Sequence, residues 1–163
     1  KYLKNFKKSM TILDKIKLIN QILRAFEFIN SKGYLHRDIS PNNILIKNYP
    51  NMPIVKLSDF GLVKEKESTL TSINSEIRGS LNDRSGLQRK GDTNYDITDE
   101  TFALTRLIVY IIEGYVDNYH KLKNQGLKDF LNKGMSPNAE NRFQSLEELK
   151  MYFNGIKNNL TLY

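Results

Sequence analysis

Between Thr11 and Lys32, apolar residues return at every third or fourth position. Ile12, Ile16, Ile19, Leu23, Phe26 and Ile29 recur in this way, with Lys15, Lys17, Asn20 and Arg24 between them. That period predicts one long amphipathic helix, and Gly33 follows as a natural left-handed stop. An amphipathic helix is held mainly by whatever covers its apolar stripe, so the rest of the chain must supply a packing layer. Two short apolar runs come next, Ile44-Leu45-Ile46 and Ile54-Val55-Lys56-Leu57-Ser58, separated by a loop with Asn51 and Pro53. They read as the two strands of a small hairpin. From Lys64 to Thr98 no period is sustained, which predicts a long irregular segment of the kind that is usually functional. Helical character returns at Thr98, a candidate N-cap with Asp99 and Glu100 in the first turn. This helix runs to Gly114 and is apolar on most faces, as a buried central helix should be. Two short helices, Leu127 to Gly134 and Ser145 to Phe153, fit the remainder. The expected fold class is therefore mainly α with one small β-hairpin, and 163 residues suffice for a single hydrophobic core.

Composition narrows the chemistry. The chain has no cysteine, which excludes disulfides, thiolate catalysis and cysteine-ligated zinc. Only His36 and His120 offer imidazole, so a multi-histidine metal site is excluded as well. The formal charge of +7 is concentrated near the start: residues 1–36 carry eight basic side chains against Asp14 and Glu27, and the remainder balances to +1. Such a cluster reads as a solvated helix face, and no aromatic-interleaved basic motif accompanies it, so no nucleic-acid partner is expected. The longest apolar runs, such as Leu107 to Ile112, are far too short to span a bilayer, and no membrane partner is expected. Lys1 to Lys8 lack the apolar stretch of a signal peptide, which points to a cytoplasmic protein.

Two short polar motifs carry the chemistry. Asp38 follows the amphipathic helix and a turn, Asn43 lies just before the first strand, and Asp59 ends the second strand. A hairpin would bring Asn43 and Asp59 to the same end, with Asp38 on the adjoining loop. Hard oxygen ligands of this kind suit Mg²⁺ held together with a polyphosphate, whose oxygens and water complete the octahedron. Asp38, free of the metal, could orient or deprotonate an attacking hydroxyl.

These residues resemble the protein kinase family. His36-Arg37-Asp38-Ile39-Ser40-Pro41-Asn42-Asn43 is similar to the catalytic loop H-R-D-x-x-x-x-N, and Asp59-Phe60-Gly61 to the D-F-G motif. The resemblance implies a kinase-like C-terminal lobe over residues 1–163 and an ATP-dependent transfer of the γ-phosphoryl group to protein Ser/Thr hydroxyls. It implies that Asp38 is the catalytic carboxylate and that Asn43 and Asp59 hold Mg²⁺ against the ATP phosphates. Leu45 would lie beneath the adenine ring. His36 would pack near Phe60, next to Gly61. Arg37 would pair with a phosphorylated residue of the activation segment, for which Thr69, Thr71, Ser72 and Ser75 are candidates. Asp99 would anchor the catalytic-loop backbone from the start of the central helix, Gly114 would end that helix, and Arg142 would belong to the last loop shared by the family.

Three departures from the family pattern stand out. Ser40 occupies the position of a lysine that contacts the transferred phosphate. No A-P-E triplet follows Gly79-Ser80, so Arg142 lacks its usual carboxylate, and Asp83 or another acid of that segment is expected to replace it. No G-x-G-x-x-G loop and no V-A-I-K lysine are present, so the phosphate-covering N-terminal lobe is an expected partner beside the protein substrate, and this chain alone is expected to be inactive. Two alternatives stay open: a small-molecule phosphotransferase of the aminoglycoside or choline kinase type, and a non-catalytic kinase-like interaction module.

Overall fold

The computed structural model describes residues 3, 10–49, 52–60, 64–65, 79–91, 94–114 and 119–162. Gly61, Thr69, Thr71, Ser72 and Ser75 lie outside the described residues.

The amphipathic period becomes helix α1, Ile12–Ser31. Thr11 caps it, accepting the Asp14 N–H on its side-chain oxygen at 3.2 Å. Its buried stripe is Ile16, Leu18, Ile19, Ile22, Leu23 and Phe26. Gly33, at φ +82°, turns the chain in the left-handed region that glycine enters without strain. Strand β1, Tyr34–Leu35, follows and later pairs antiparallel with β4, Lys64–Glu65. Between them, β2, Ile44–Tyr49, and β3, Met52–Leu57, form an antiparallel hairpin in which Ile44 faces Leu57 and Tyr49 faces Met52. The Gln21 side chain fastens this hairpin to α1, donating to the Pro53 carbonyl at 2.8 Å and accepting the Val55 N–H at 3.0 Å.

The segment expected to be irregular contains a short helix, α2, Arg84–Lys90. Its single buried apolar residue, Leu87, gives no period to detect, so the element was invisible to a pattern search. The central helix α3, Ile97–Glu113, is buried on nearly every face from Thr98 to Ile112. It starts one turn's edge earlier than predicted, because Asp96 rather than Thr98 is the N-cap and forms a capping box with Asp99. Gly114, at φ 90°, closes it in the left-handed conformation.

Helices α4, Gln125–Gly134, and α5, Leu146–Ile156, pack against α3, and α5 also against α1. Phe130 gathers Phe143, Tyr152 and Phe153 around it at ring-centroid distances of 5.3 to 6.0 Å. At Gly134 the α3 and α4 backbones come so close that any Cβ would run into the Thr105 side chain. The outcome is the expected class, mainly α with one small hairpin. Helices surround α3, and the hairpin together with the 35–43 loop occupies one end.

Candidate active site

The loop from His36 to Asn43 carries six polar side chains, of which His36, Arg37, Asp38 and Ser40 are buried, and its backbone is held from α3. The N–H groups of His36 and Arg37 donate to the two carboxylate oxygens of Glu100, at 2.7 and 3.2 Å. The Tyr95 hydroxyl donates to Glu100 Oε2 at 2.7 Å. Glu100 is fully buried; burial pushes its pKa up, while the His36 N–H, the Tyr95 hydroxyl and the Arg37 N–H oppose that rise. Burial and the neighbouring Glu100 charge push the Tyr95 phenol up too, which keeps it a donor.

This corrects the expectation for Asp99. The residue that holds the backbone of the 36–43 loop is Glu100, one position further on. Asp99 instead accepts the Asp96 N–H in the capping box at 3.0 Å. It also lies 2.5 Å from Lys90 Nζ and 3.5 Å from Arg142 Nη1. Neighbouring helix positions diverge by about 100°, so with Asp99 turned to the cap, Glu100 alone faces the loop.

His36 is packed, not solvent-facing. Its ring sits 5.7 Å from that of Phe26 and 5.1 Å from that of Phe60. Nε2 donates to the Ser58 carbonyl at 3.1 Å and Nδ1 accepts the Asp38 N–H at 3.4 Å, a pattern the Nε2–H tautomer satisfies. The imidazole therefore links Asp38 to the residue before Asp59. Arg37 is buried, stands at φ 67°, and lays its guanidinium over the Tyr95 ring at 5.9 Å.

Asn43 joins the remaining parts. Its Nδ2 donates to the Asp38 carbonyl at 2.9 Å, and its own carbonyl accepts from the Ser58 N–H at 2.9 Å and the Ser58 hydroxyl at 3.2 Å. With the amide N–H engaged, the amide oxygen is the group left to serve a cation. Asp59 is exposed and stands at φ 63°, a conformation non-glycine residues seldom adopt. Two strained residues, Arg37 and Asp59, thus flank one small site. Ser40 is buried and accepts the Asn42 N–H on its hydroxyl at 3.2 Å, and Leu45 is half-buried on β2.

Arg142 does find the expected substitute. Its Nη2 lies 2.6 Å from Asp83 Oδ2, its Nε donates to the Ser136 carbonyl at 2.8 Å, and its guanidinium covers the Phe102 ring at 4.6 Å. Burial works to raise the Asp83 pKa, but the Gly86 N–H, Arg142 and Arg89 outweigh it and hold the carboxyl below its ordinary value of 3.8. A depressed native value means that the contribution of Asp83 to stability is present above pH 3.8 and is lost as pH falls through the native value. Asp83→Asn should therefore cost about 2 kcal/mol at pH 7, with Arg142 keeping its Asp99 and Ser136 contacts. Urea melts of the two proteins should converge in acid; a gap that stays constant from pH 7 to pH 3 would disprove the assignment.

The arrangement places a carboxylate, an amide oxygen and a second carboxylate at one end of a hairpin. Hard oxygen donors of this sort fit a divalent cation that takes its other ligands from phosphate and water. No cluster of three or more His, Asp or Glu side chains able to hold a metal unaided occurs among the described residues. The sequence reading missed Tyr95, Glu100, Asn82 and Lys90. The spacing Asp96-x-x-Asp99 was a detectable capping signal that would have moved the anchor to Glu100.

The family model described as "Protein kinase domain" matches residues 1–86. Serine/threonine-protein kinase F of Synechocystis sp. is 27% identical over 158 residues, covering 87% of this chain and 31% of its own length. A protein of Clostridium acetobutylicum named a probable serine/threonine-protein kinase is 30% identical over 161 residues, covering 85% of this chain and 24% of its own length. A protein of Clostridium perfringens with the same kind of name is 24% identical over 151 residues, covering 79% of this chain and 22% of its own length. The chain thus spans less than a third of the length of these relatives.

Proposed function

Because the chain belongs to the protein kinase domain family, we propose that residues 1–163 form the C-terminal catalytic lobe of an ATP-dependent serine/threonine protein kinase. The observation that carries this reading is the position of Asn43, bonded at once to the Asp38 carbonyl and to Ser58 beside Asp59. It makes the three polar residues one unit. Asp38 would accept or orient the proton of the substrate hydroxyl, since its carboxylate takes no hydrogen bond from another described residue. Asn43 and Asp59 would offer the oxygen ligands, and Leu45 would contribute apolar surface beneath the adenine. Mg-ATP, when bound, would supply the phosphoryl group and neutralise the charge that develops during its transfer.

The residues of this chain would do the positioning. Glu100 and Tyr95 would fix the loop backbone, and His36 would keep Asp38 in register with the Asp59 turn. An N-terminal lobe would have to exclude water and cover the phosphates, so the lobe alone should be inactive. The relatives named as serine/threonine kinases favour protein acceptors over small-molecule ones. The test is a radiolabelled-ATP assay of the longer protein that carries this chain, offered protein and aminoglycoside or choline acceptors, with and without EDTA. Chelation-sensitive labelling of Ser or Thr in the protein acceptor is expected. Labelling of the small acceptors alone would overturn the protein-kinase assignment, and no labelling of either would favour an interaction module.

A further inference from the structure

Helix α2 is held at both ends. At its N-terminal side Asp83 pairs with the buried Arg142 at 2.6 Å. At its C-terminal side Lys90 bridges Asp99 at 2.5 Å and Asp96 at 3.0 Å. Leu87 anchors its middle in a small cluster with Leu35 and Tyr95. A helix of seven residues would be marginal alone, so these ties are what keep it in place.

The chain just before α2 lies against the catalytic loop on both sides of Asp38. Asn82 Nδ2 donates to the Arg37 carbonyl at 2.9 Å, and Gly79 sits so close that an added Cβ would be 2.9 Å from the Ile39 nitrogen. Arg106 Nη1 holds the same segment by donating to the Leu81 carbonyl at 3.1 Å. This segment, tied to the loop on both sides of Asp38, runs directly into α2, which exposes Arg84, Ser85, Gln88 and Arg89.

The charges on that face are not balanced. The carboxylate of Asp83 is occupied by Arg142, and those of Asp96 and Asp99 by Lys90. Arg84 and Arg89 form no ion pair with another described residue, although the Arg89 charge acts on Asp83. On the loop itself, Ser40 and Asn42 are uncharged. Two exposed arginines therefore put positive charge on the helix that continues the loop-bound segment, where charge complementarity would select what docks.

We propose that α2 is a substrate-docking platform and that Arg84 and Arg89 select acidic segments of the protein substrate, carrying Asp, Glu or phosphorylated side chains beside the acceptor hydroxyl. This rests on the kinase reading given above and specifies its substrate class. The experiment compares three peptides of equal length, with the acceptor Ser flanked by Glu, Ala or Lys, using the longer protein that carries this chain. A preference of about three- to tenfold in kcat/KM for the Glu peptide over the Ala peptide is expected, expressed in KM and weakened by salt. The Arg84→Glu/Arg89→Glu variant should reverse the order toward the Lys peptide, a change of ranking that a general loss of activity would not produce. An unaltered order in that variant, or no order in the parent, would overturn the proposal even with kinase activity intact. If no peptide is labelled, the kinase reading fails separately. Fluorescence anisotropy of the labelled Glu peptide then still decides the docking claim, which stands if the parent binds it more tightly than the variant and falls otherwise.

Discussion

Asp38→Asn is expected to lower phosphoryl transfer by about a hundred- to ten-thousandfold, the usual worth of a positioned general base, with the fold retained. The reason lies in how its parts are bonded. The Asp38 backbone is well tied, its N–H to His36 Nδ1 and its carbonyl to Asn43 Nδ2, but its carboxylate takes no hydrogen bond from another described residue. A carboxylate that takes no hydrogen bond from another described residue gives the fold little structural return. Folding alone would not favour such a group, whereas a reaction that needs a proton acceptor at that atom would. The asparagine variant has the same shape, so its melting temperature should equal or exceed that of the parent. The assay is steady-state transfer to a Ser peptide alongside a thermal melt. Full activity in the variant would remove Asp38 from the mechanism. A large drop in melting temperature would make it a structural residue instead.

How much of this was readable from sequence depends on the range of the forces involved. The 3.6-residue period made α1 and α3 visible, because burial of a stripe is a repeated local signal. The hairpin was visible because apolar runs and turn residues alternate. The Arg142 to Asp83 pair was anticipated from a missing acid, since a buried arginine must find a carboxylate somewhere. Helix α2 was not visible: it contributes one apolar residue to the core and is held by ion pairs to residues distant in the chain. The anchor was misplaced by one residue because Thr98 looked like a cap, whereas Asp96 both accepts the Thr98 N–H at 2.7 Å and sets the helix phase. Phase decides which of two adjacent acids faces inward, and only the cap fixes phase. The positive φ of Arg37 and Asp59 left no trace in residue type at all.

The largest loss of stability should come from Glu100→Gln. The carboxylate accepts three buried donors, the N–H groups of His36 and Arg37 and the Tyr95 hydroxyl. A glutamine keeps one oxygen and replaces the other with an NH2 group, which must then face at least one of those donors. Two opposed donors in a buried site lose a bond and leave polar groups unpaired. That amounts to about 3–4 kcal/mol, a large share of a typical domain's stability. Activity should fall with it, because the strained Arg37 backbone, at φ 67°, would lose the bond that ties it to Glu100 of α3. Glu100→Asp should be nearly as damaging, since one methylene less shortens the reach to both N–H groups. Asp99→Asn provides the contrast: it weakens the Lys90 tie and the cap but leaves the loop bonds in place. Amide hydrogen exchange separates the two. His36 and Arg37 amides should lose protection in Glu100→Gln and keep it in Asp99→Asn. If instead Asp99→Asn exposes those amides and Glu100→Gln does not, the anchor is Asp99, and the register derived for α3 is wrong.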